Sequence, residues 1–387
     1  MGRCIGIDLH RNRFSVCVLD EEGDIEVESE YETSRRGVER FRETLMSMDT
    51  VVFEVSELAF GMHDALVSRV SRVIVADPAK TRERSSGEAK TDRLDARRLA
   101  RLGQDKHIAE VWVPDPETRR LRELVRFHQQ LTKITTKMSN IEYAKGASRS
   151  IGLSGPGGKG LWANDRERAE LLREAGREVA ESARKQKAKL DMMFADWAVK
   201  TPEALLVMRH AGVGPWVAAV VIGAAGDIRR FENAQGFASY TGLVPRVYQS
   251  GEGCHHGRIT KAGRKELRHA LVQAAWSAVR SDPALKASFK RIARTRGEGK
   301  AIVAIARKIA TRLWHLMTEG HCDGLMSDEA FALKIKRIIR DNRIHIPAHH
   351  QATTGAATSR PKTDKNKSGE KGRCTPARGL SLCRQRV

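Results

Sequence analysis

The sequence predicts an α/β domain on a mixed sheet, followed by a mainly α remainder. Short β-branched runs and amphipathic stretches alternate over residues 3–103. Apolar residues then repeat at heptad spacing over 117–146, and beyond Pro202 the helical patterns are punctuated by glycine and proline.

Each element has its own signal. RCIGIDL (3–9) and RFSVCVL (13–19) read as strands joined by a short turn at His10–Asn12. IEVESEYET (25–33) alternates apolar and polar residues and reads as a third strand. Val38, Phe41, Leu45 and Met48 recur at helical spacing, which predicts a helix over 36–48. VVFEV (51–55) is a short apolar strand interrupted by Glu54, 58–70 a second helix, RVIVAD (72–77) a fifth strand, and 91–103 a third helix. Three hairpin-type strands followed by crossover units form a mixed sheet with helices on its faces, the order of a ribonuclease H-like domain.

Leu124, Phe127, Leu131, Ile134, Met138 and Ile141 step by three and four, a heptad seam that predicts a long coiled-coil helix. A second long helix over 165–199 keeps a similar seam in Leu172, Val179, Ala183, Leu190, Met193 and Trp197. The two pair either as an antiparallel hairpin or between subunits. IGLSGPGGKG (151–160) between them is a glycine-rich loop, but its spacing fails GxxxxGK[ST] and Lys159 is followed by glycine, which excludes a nucleotide P-loop. LLVMRHAGVGPWVAAVVIGAAG (205–226) reads as helix, GVG turn, helix, the pattern of a helix-hairpin-helix motif; an ordinary helical hairpin reads the same way. In the former, Gly212 and Gly214 let backbone N–H groups approach a phosphate. Residues 242–263 are loop-like, 264–280 a strong helix, and helical segments continue to about 340. The expected domains are 1–110, the α/β domain; 111–200, the coiled-coil arm; 201–340, the helical domain; and 341–387, a disordered basic tail.

The 387 residues carry a formal net charge of +21. Such an excess favours nucleic acid as partner, because each neutralised phosphate releases counterions. A membrane surface is the rival partner, but no apolar run reaches the length of a spanning helix. The opening MGRCIGIDLH has no apolar core of a secretory signal. The six cysteines form no CxxC pair and suggest neither a disulfide framework nor a zinc site, which fits a reducing cytoplasm. Cys254, His255 and His256 are close in sequence, but adjacent side chains rarely converge on one tetrahedral ion.

The acids are placed unexpectedly. Asp8 interrupts the first apolar strand and Glu54 the fourth, and a carboxylate on a buried strand is costly without compensation. Neighbouring strands bring the two together. Asp92 and Asp95, in KTDRLDARRLA, lie three apart and so on one side of a helix. A solvated helix face with ion pairs to Arg93, Arg97 and Arg98 explains the second pair blandly. Chemically, four converging carboxylates repel one another, divalent cations relieve that repulsion, and oxygen ligands favour magnesium or manganese. Two such ions about 4 Å apart serve phosphoryl transfer. His10 and Glu57 lie near the acids, where assisting a metal is one reading and a surface role the expected one.

The order D-E-D-x-x-D in GIDLH, VVFEV and KTDRLDARRLA resembles the DEDD transposases of bacterial insertion sequences. AGVGPWVAA, GDIRRF, ASYTGLVP, QSGEG and GRITKAGRKELRHALVQAAW resemble that family's second domain in the same order, so the resemblance covers residues 3–280. It implies a RuvC-like catalytic domain in which Asp8, Glu54, Asp92 and Asp95 hold magnesium, with manganese as substitute. It also implies a coiled-coil arm and a further domain whose Ser250 is the nucleophile in a covalent link to DNA. From the residues alone, Ser250 is a turn serine. The implied partners are DNA (element ends, junction and target), a guide RNA, and further copies of the chain in a dimer or tetramer with a composite site. A cytoplasmic, nucleoid-associated protein follows. Nucleic-acid contacts are expected from Lys90, Gly212, Gly214, Arg258, Lys261, Arg264 and Arg268, the last three able to share a helix face.

Other readings remain open. A junction resolvase or nuclease would use the same four acids with water as nucleophile, but would have no use for Ser250 or the second domain. A sugar-kinase or actin-like phosphotransferase shares a related sheet order, but wants a Gly-Thr or Gly-Ser pair after the aspartate, where this chain has LHRNR. A non-enzymatic nucleic-acid binder would need no acids in its strands.

Overall fold

The structure, a computed structural model, describes residues 2–78, 91–104, 108–150, 165–250 and 253–344. Lys90, the glycine-rich loop 151–160 and the basic tail lie outside these. The chain divides into two units, Met1–Glu123 and Leu124–Val387.

The first unit holds a five-stranded sheet in the order β3-β2-β1-β4-β5. Its strands are β1 (Cys4–Leu9), β2 (Arg13–Leu19), β3 (Ile25–Glu32), β4 (Thr50–Glu54) and β5 (Arg72–Ala76). β1, β2 and β3 pair antiparallel, whereas β4 runs parallel to both β1 and β5. This is the mixed sheet that the element order predicts. One face is covered by α1 (Arg35–Glu43) and α2 (Ala59–Leu66), with Ile5, Ile7, Phe14, Val51, Phe53 and Phe41 among its buried residues. Phe14, Tyr31 and Phe41 pack ring to ring, with Phe14 and Tyr31 stacked at 5.4 Å. The opposite face carries α3 (Asp92–Gln104), whose Ala96, Leu99 and Ala100 cover Cys4, Cys17, Leu19, Val52 and Ile74.

Two helices are shorter than their periodicity suggests. α1 ends at Glu43, and Met46 and Met48 beyond it are exposed. The cause is Asp49, whose buried carboxylate accepts from the Met46 backbone N–H at 2.7 Å and from the Arg3 guanidinium at 2.8 Å. That buried pair pins a turn where the apolar spacing continues, since a buried charge must find partners. α2 ends at Leu66 rather than near residue 70, with Val67 as its cap. The outer strand β3 exposes Ile25 and Val27, because no element covers that part of the sheet edge among the described residues.

The second unit is helical apart from one hairpin. α4 (Pro116–Ser150) begins before the division and runs into it; α5 (Asp165–Lys200) follows. Then come α6 (Pro202–Met208), α7 (Pro215–Ala225), a short 3₁₀ turn (Ile228–Arg230) and α8 (Ala234–Tyr240). β6 (Pro245–Ser250) and β7 (Gly253–Ile259) pair antiparallel, so the stretch expected to be loop is a β-hairpin. α9 (Lys265–Ser281), α10 (Pro283–Arg296), α11 (Glu298–Glu319) and α12 (Asp328–Asp341) complete it. α7 is apolar all round and is the buried centre, packed against α5, α6 and α9. Alanines 270, 274, 275 and 278 give α9 a smooth buried face for α7 and α11.

The long helices form where expected, but their buried faces differ from the predicted seams. On α4, Val125, His128 and Leu131 are buried, while Phe127, Ile134 and Ile141 stay exposed. On α5, Ala180, Ala183, Leu190, Phe194 and Ala198 are buried, while Leu172, Val179 and Met193 are exposed. α5 packs on α6 and α7, and α4 meets α5 at His128, whose Nε2 lies 2.9 Å from Asp191 and whose ring is edge-on to Phe194.

Candidate active site

Parallel pairing places the first two acids. β1 and β4 are in register from Cys4↔Thr50 to Ile7↔Phe53, so Asp8 and Glu54 stand one residue further along. Alternation along the strands puts both on the face that carries α3. Gly6 sets how close α3 comes: a Cβ there would lie 2.0 Å from the Ala96 carbonyl oxygen and 2.4 Å from the Ala100 nitrogen. A glycine in the middle of β1 thus lets the helix rest directly on the sheet, bringing its first turn to the end of β1 that carries Asp8.

That first turn carries Asp92 and Asp95. Thr91 opens it: the Asp95 N–H donates to the Thr91 carbonyl at 2.9 Å, and the Leu94 N–H reaches the Thr91 hydroxyl at 3.4 Å. Acids suit a helix N-terminus, where the dipole is positive. Asp92 meets the turn after β1. His10 Nε2 lies 3.0 Å from Asp8 Oδ2 and 3.3 Å from Asp92 Oδ1. Asp8, His10 and Asp92 therefore bring three ligand atoms within 4.8 Å of one another, the one such group among the described residues. Asp95 and Glu54 stand outside this tight group, Asp95 with Arg98 at 3.8 Å.

Burial lifts the Asp8 pKa, His10 pulls it down, and the charges of Asp95 and Asp92 push it up again. Asp95 thus acts on Asp8 although it is outside the tight group. Two carboxylates and an imidazole are donors that suit a divalent cation, which would relieve the repulsion that Asp8 records. A cleft of about 440 Å³ opens beside them, lined by His10, Arg11, Asn12, Arg13 and Asp92 among others. Acids and guanidinium groups are therefore neighbours in its lining. His10 is exposed, as expected of a surface residue, and its ring also bridges the two acids. The spacing D-x-H across a strand end was the available signal.

In the second unit, β6 ends at Ser250, paired with Gly253 at the tip of the hairpin. Its neighbours Gln249 and Cys254 pair one step below.

The chain matches known proteins in both regions. Residues 5–141 match the DEDD transposase model of the IS110 type, and residues 204–290 match the model for the transposase IS116/IS110/IS902 family. A Sinorhizobium fredii protein named "Putative transposase y4rJ" is 30% identical over 314 residues, covering 70% of this chain and 78% of the relative. The chain belongs to the IS110/IS116 transposase family. A second S. fredii relative, y4qE, is 27% identical over 80% of the chain. The pilin gene-inverting protein of Moraxella bovis is 35% identical over 127 residues, 29% of this chain and 37% of that protein. The protein is thus a transposase, an enzyme of DNA recombination. All four DEDD acids fall within the first matched region, and Ser250 within the second.

The transposase's expected nucleic-acid contacts separate into kinds. Arg258 and Lys261 are exposed. Arg264 is the residue before α9 and donates to the Tyr240 hydroxyl at 3.2 Å. Arg268 donates to the Lys261 and Thr241 carbonyls at 3.2 and 3.4 Å. Lys261, Arg264 and Arg268 do not share a helix face, because α9 begins only at Lys265. Arg268 braces the loop that precedes it.

The GVG turn also has a packing reason. Gly212 has φ +82°, and a Cβ there would lie 2.2 Å from the Ala274 carbonyl of α9. Gly214 faces open space and precedes α7. Lys334 of α12 spans the turn, donating to the Met208 and Val213 carbonyls at 2.6 and 2.7 Å. No sequence signal pointed to Lys334, which is over a hundred residues away and looks like any helix-face lysine. Among the described residues, no helix is long and apolar enough to cross a membrane.

Proposed function

We propose that this transposase cleaves and exchanges DNA strands at the ends of an insertion sequence by divalent-metal-dependent phosphoryl transfer, with Ser250 as the covalent nucleophile. The convergence of Asp8 and Asp92 at the strand end where Glu54 also stands, inside a DEDD-type region, is the observation that supports it most.

Asp8, Glu54, Asp92 and Asp95 are assigned to hold magnesium, with manganese as substitute. A cation there supplies Lewis-acid stabilisation of charge on the phosphoryl and leaving oxygens. The chain's own groups do the rest. His10 orients the Asp8 and Asp92 carboxylates. Arg11 and Arg13, which line the small cleft, hold the phosphodiester by its non-bridging oxygens. Ser250, at the tip of a hairpin, is presented to that phosphate by a second copy of the chain in a composite site. Its hydroxyl oxygen bonds to phosphorus, the bond to the leaving sugar oxygen breaks, and the serine proton passes to solvent or a carboxylate. A later attack by a DNA hydroxyl reverses the step and frees the serine. The four-part division at 110, 200 and 340 separates acids, arm, serine domain and tail. The exposed seam positions of α4 and α5 support pairing between copies. Arg258 and Lys261, with the GVG turn read as helix-hairpin-helix, add backbone contacts, and a noncoding RNA supplies target choice by base pairing.

A covalent-adduct assay tests this. Purified protein, magnesium, element-end DNA and the adjacent noncoding transcript are mixed, denatured and run on a gel, wild type beside Ser250→Ala. A protein–DNA band that the variant lacks is expected. Free nicked DNA without an adduct, unchanged in the variant, would replace this reading with a metal-dependent nuclease that uses water.

A further inference from the structure

The second unit contains a feature that the cleavage chemistry does not use. A cleft of about 1850 Å³ opens between α4, α5, the GVG turn, α9 and α12. Small-ligand pockets usually span about 300–1,000 Å³, so this one suits a polymer segment better. Seven of its lining residues are Lys or Arg and three are Asp or Glu, so its field is positive. Two of the acids are already committed: Asp191 to His128 and Lys187, and Asp282 to the first turn of α10. Lys133, Lys137, Lys265 and Arg280 line the cleft without an ion-pair partner among the described residues.

The same walls are aromatic. Trp216 sits between His128 and His269, with ring centroids 5.2 and 6.0 Å away. Desolvation, then the nearby charge of Lys133, lowers the His269 pKa, so this wall carries a neutral ring beside a cation. Polar atoms in the wall also lack partners. His128, only 4% exposed, has its Nδ1 buried and unpaired, as are Trp216 Nε1 and Gln129 Nε2. Buried orphans of this kind cost about 1–3 kcal/mol each until something pairs them. The N-terminus of α7, at Gly214 and Pro215, opens onto the same space.

We propose that this cleft is a second nucleic-acid site, taking an unpaired strand with its phosphates on Lys133, Lys137, Lys265 and Arg280 and a base against the Trp216–His269 wall. The proposal rests on the recombinase reading for its class of ligand. Aromatic faces beside cations recognise single strands because only an unstacked base offers its face, whereas a duplex keeps its bases stacked. DNA and RNA strands share this chemistry.

The full chain carrying Asp8→Asn, without divalent metal, is titrated with short labelled single-stranded DNA, single-stranded RNA and duplex DNA. Lys133→Glu/Lys137→Glu is compared with a charge-matched control on α10, Lys286→Glu/Lys290→Glu. In the cleft pair, single-strand affinity should fall by about tenfold or more, and the log–log salt slope by about 0.7 per lost phosphate contact. The control pair and duplex binding should change less. Thio-substituted strands should photo-crosslink to peptides containing Trp216 or His269. Whichever strand, DNA or RNA, shows the larger loss identifies the natural source. Equal losses in both pairs, equal losses for duplex and single strands, or crosslinks only elsewhere would overturn the cleft assignment. Because no cleavage is read, such a result leaves the adduct assay to judge the recombinase reading separately.

Discussion

Gly6 and Ala96 touch so closely that no side chain fits between them: a Cβ on Gly6 would lie 2.0 Å from the Ala96 carbonyl oxygen. This contact fixes the height of α3 over the sheet and hence the distance between Asp92 and Asp8. Gly6→Ala is expected to destabilise the first unit by about 1–3 kcal/mol, as overpacking does. It should also cut metal-dependent cleavage by about a hundredfold, because displacement of a reacting group by an ångström has that scale of effect. Urea unfolding and a cleavage time course read the two separately. Wild-type cleavage in a folded Gly6→Ala protein would mean that the acids do not depend on this contact.

The acids themselves give a sharper outcome. Asp8→Ala or Asp95→Ala should lower cleavage by about 10²–10³-fold or more, the scale seen when one stabilising group is removed. Binding of DNA or RNA should remain largely intact, since the removed charges are negative. Asp95→Ala is the more informative variant, because Asp95 stands outside the tight Asp8–His10–Asp92 group and reaches Asp8 through its charge. Full activity in Asp95→Ala would remove it from the metal-site assignment.

How far the sequence revealed these relationships depends on their range. Strand order, the parallel partnership of GIDLH with VVFEV, and the one-sided placement of Asp92 and Asp95 follow from local periodicity, so they were readable. The bridging contacts of His10 depend on the turn after β1 bringing it back to Asp8 and Asp92, a tertiary result. The apolar spacing overruns the end of α1 because the Arg3 pairing with buried Asp49, 46 residues away, overrides it. The hairpin around Ser250 looks like loop in the sequence because its glycines and polar residues dilute the alternation that marks a strand. Lys261, Arg264 and Arg268 have helical spacing, but the helix begins only at Lys265, so Lys261 lies outside it. Lys334 shows the limit: two backbone carbonyls from a distant turn give it its place, and no local pattern announces that.

Phe127, Ile134 and Ile141 are spaced by seven and exposed by 54, 39 and 40%. Exposed apolar residues at heptad spacing suit a partner helix. Burying one such side chain contributes about 1.5–3 kcal/mol. Phe127→Glu/Ile134→Glu should therefore shift the protein toward monomer in light scattering, with thermal stability nearly unchanged because neither residue packs in its own chain's core. An unchanged mass would show that subunits associate through another surface.

The last prediction concerns pH and is independent of the acids. His210 is fully buried at the end of α6, with Nδ1 2.7 Å from the Ala211 carbonyl and Nε2 unpaired. Burial holds its pKa down to about 4, with Arg312 and Lys334 adding to the effect and Asp282 opposing it. The folded state thus keeps His210 neutral while the unfolded chain binds a proton near pH 6.5. The unfolded state therefore holds more protons in the interval between, and stability falls as pH drops. The contribution is fully present above about pH 6.5 and is lost as pH falls through about 4, for a total of about 3 kcal/mol. His210→Asn keeps a donor for the Ala211 carbonyl but cannot titrate. Urea midpoints across this range should decline more steeply for wild type than for the variant. Parallel declines would show that another group carries the acid sensitivity of the second unit.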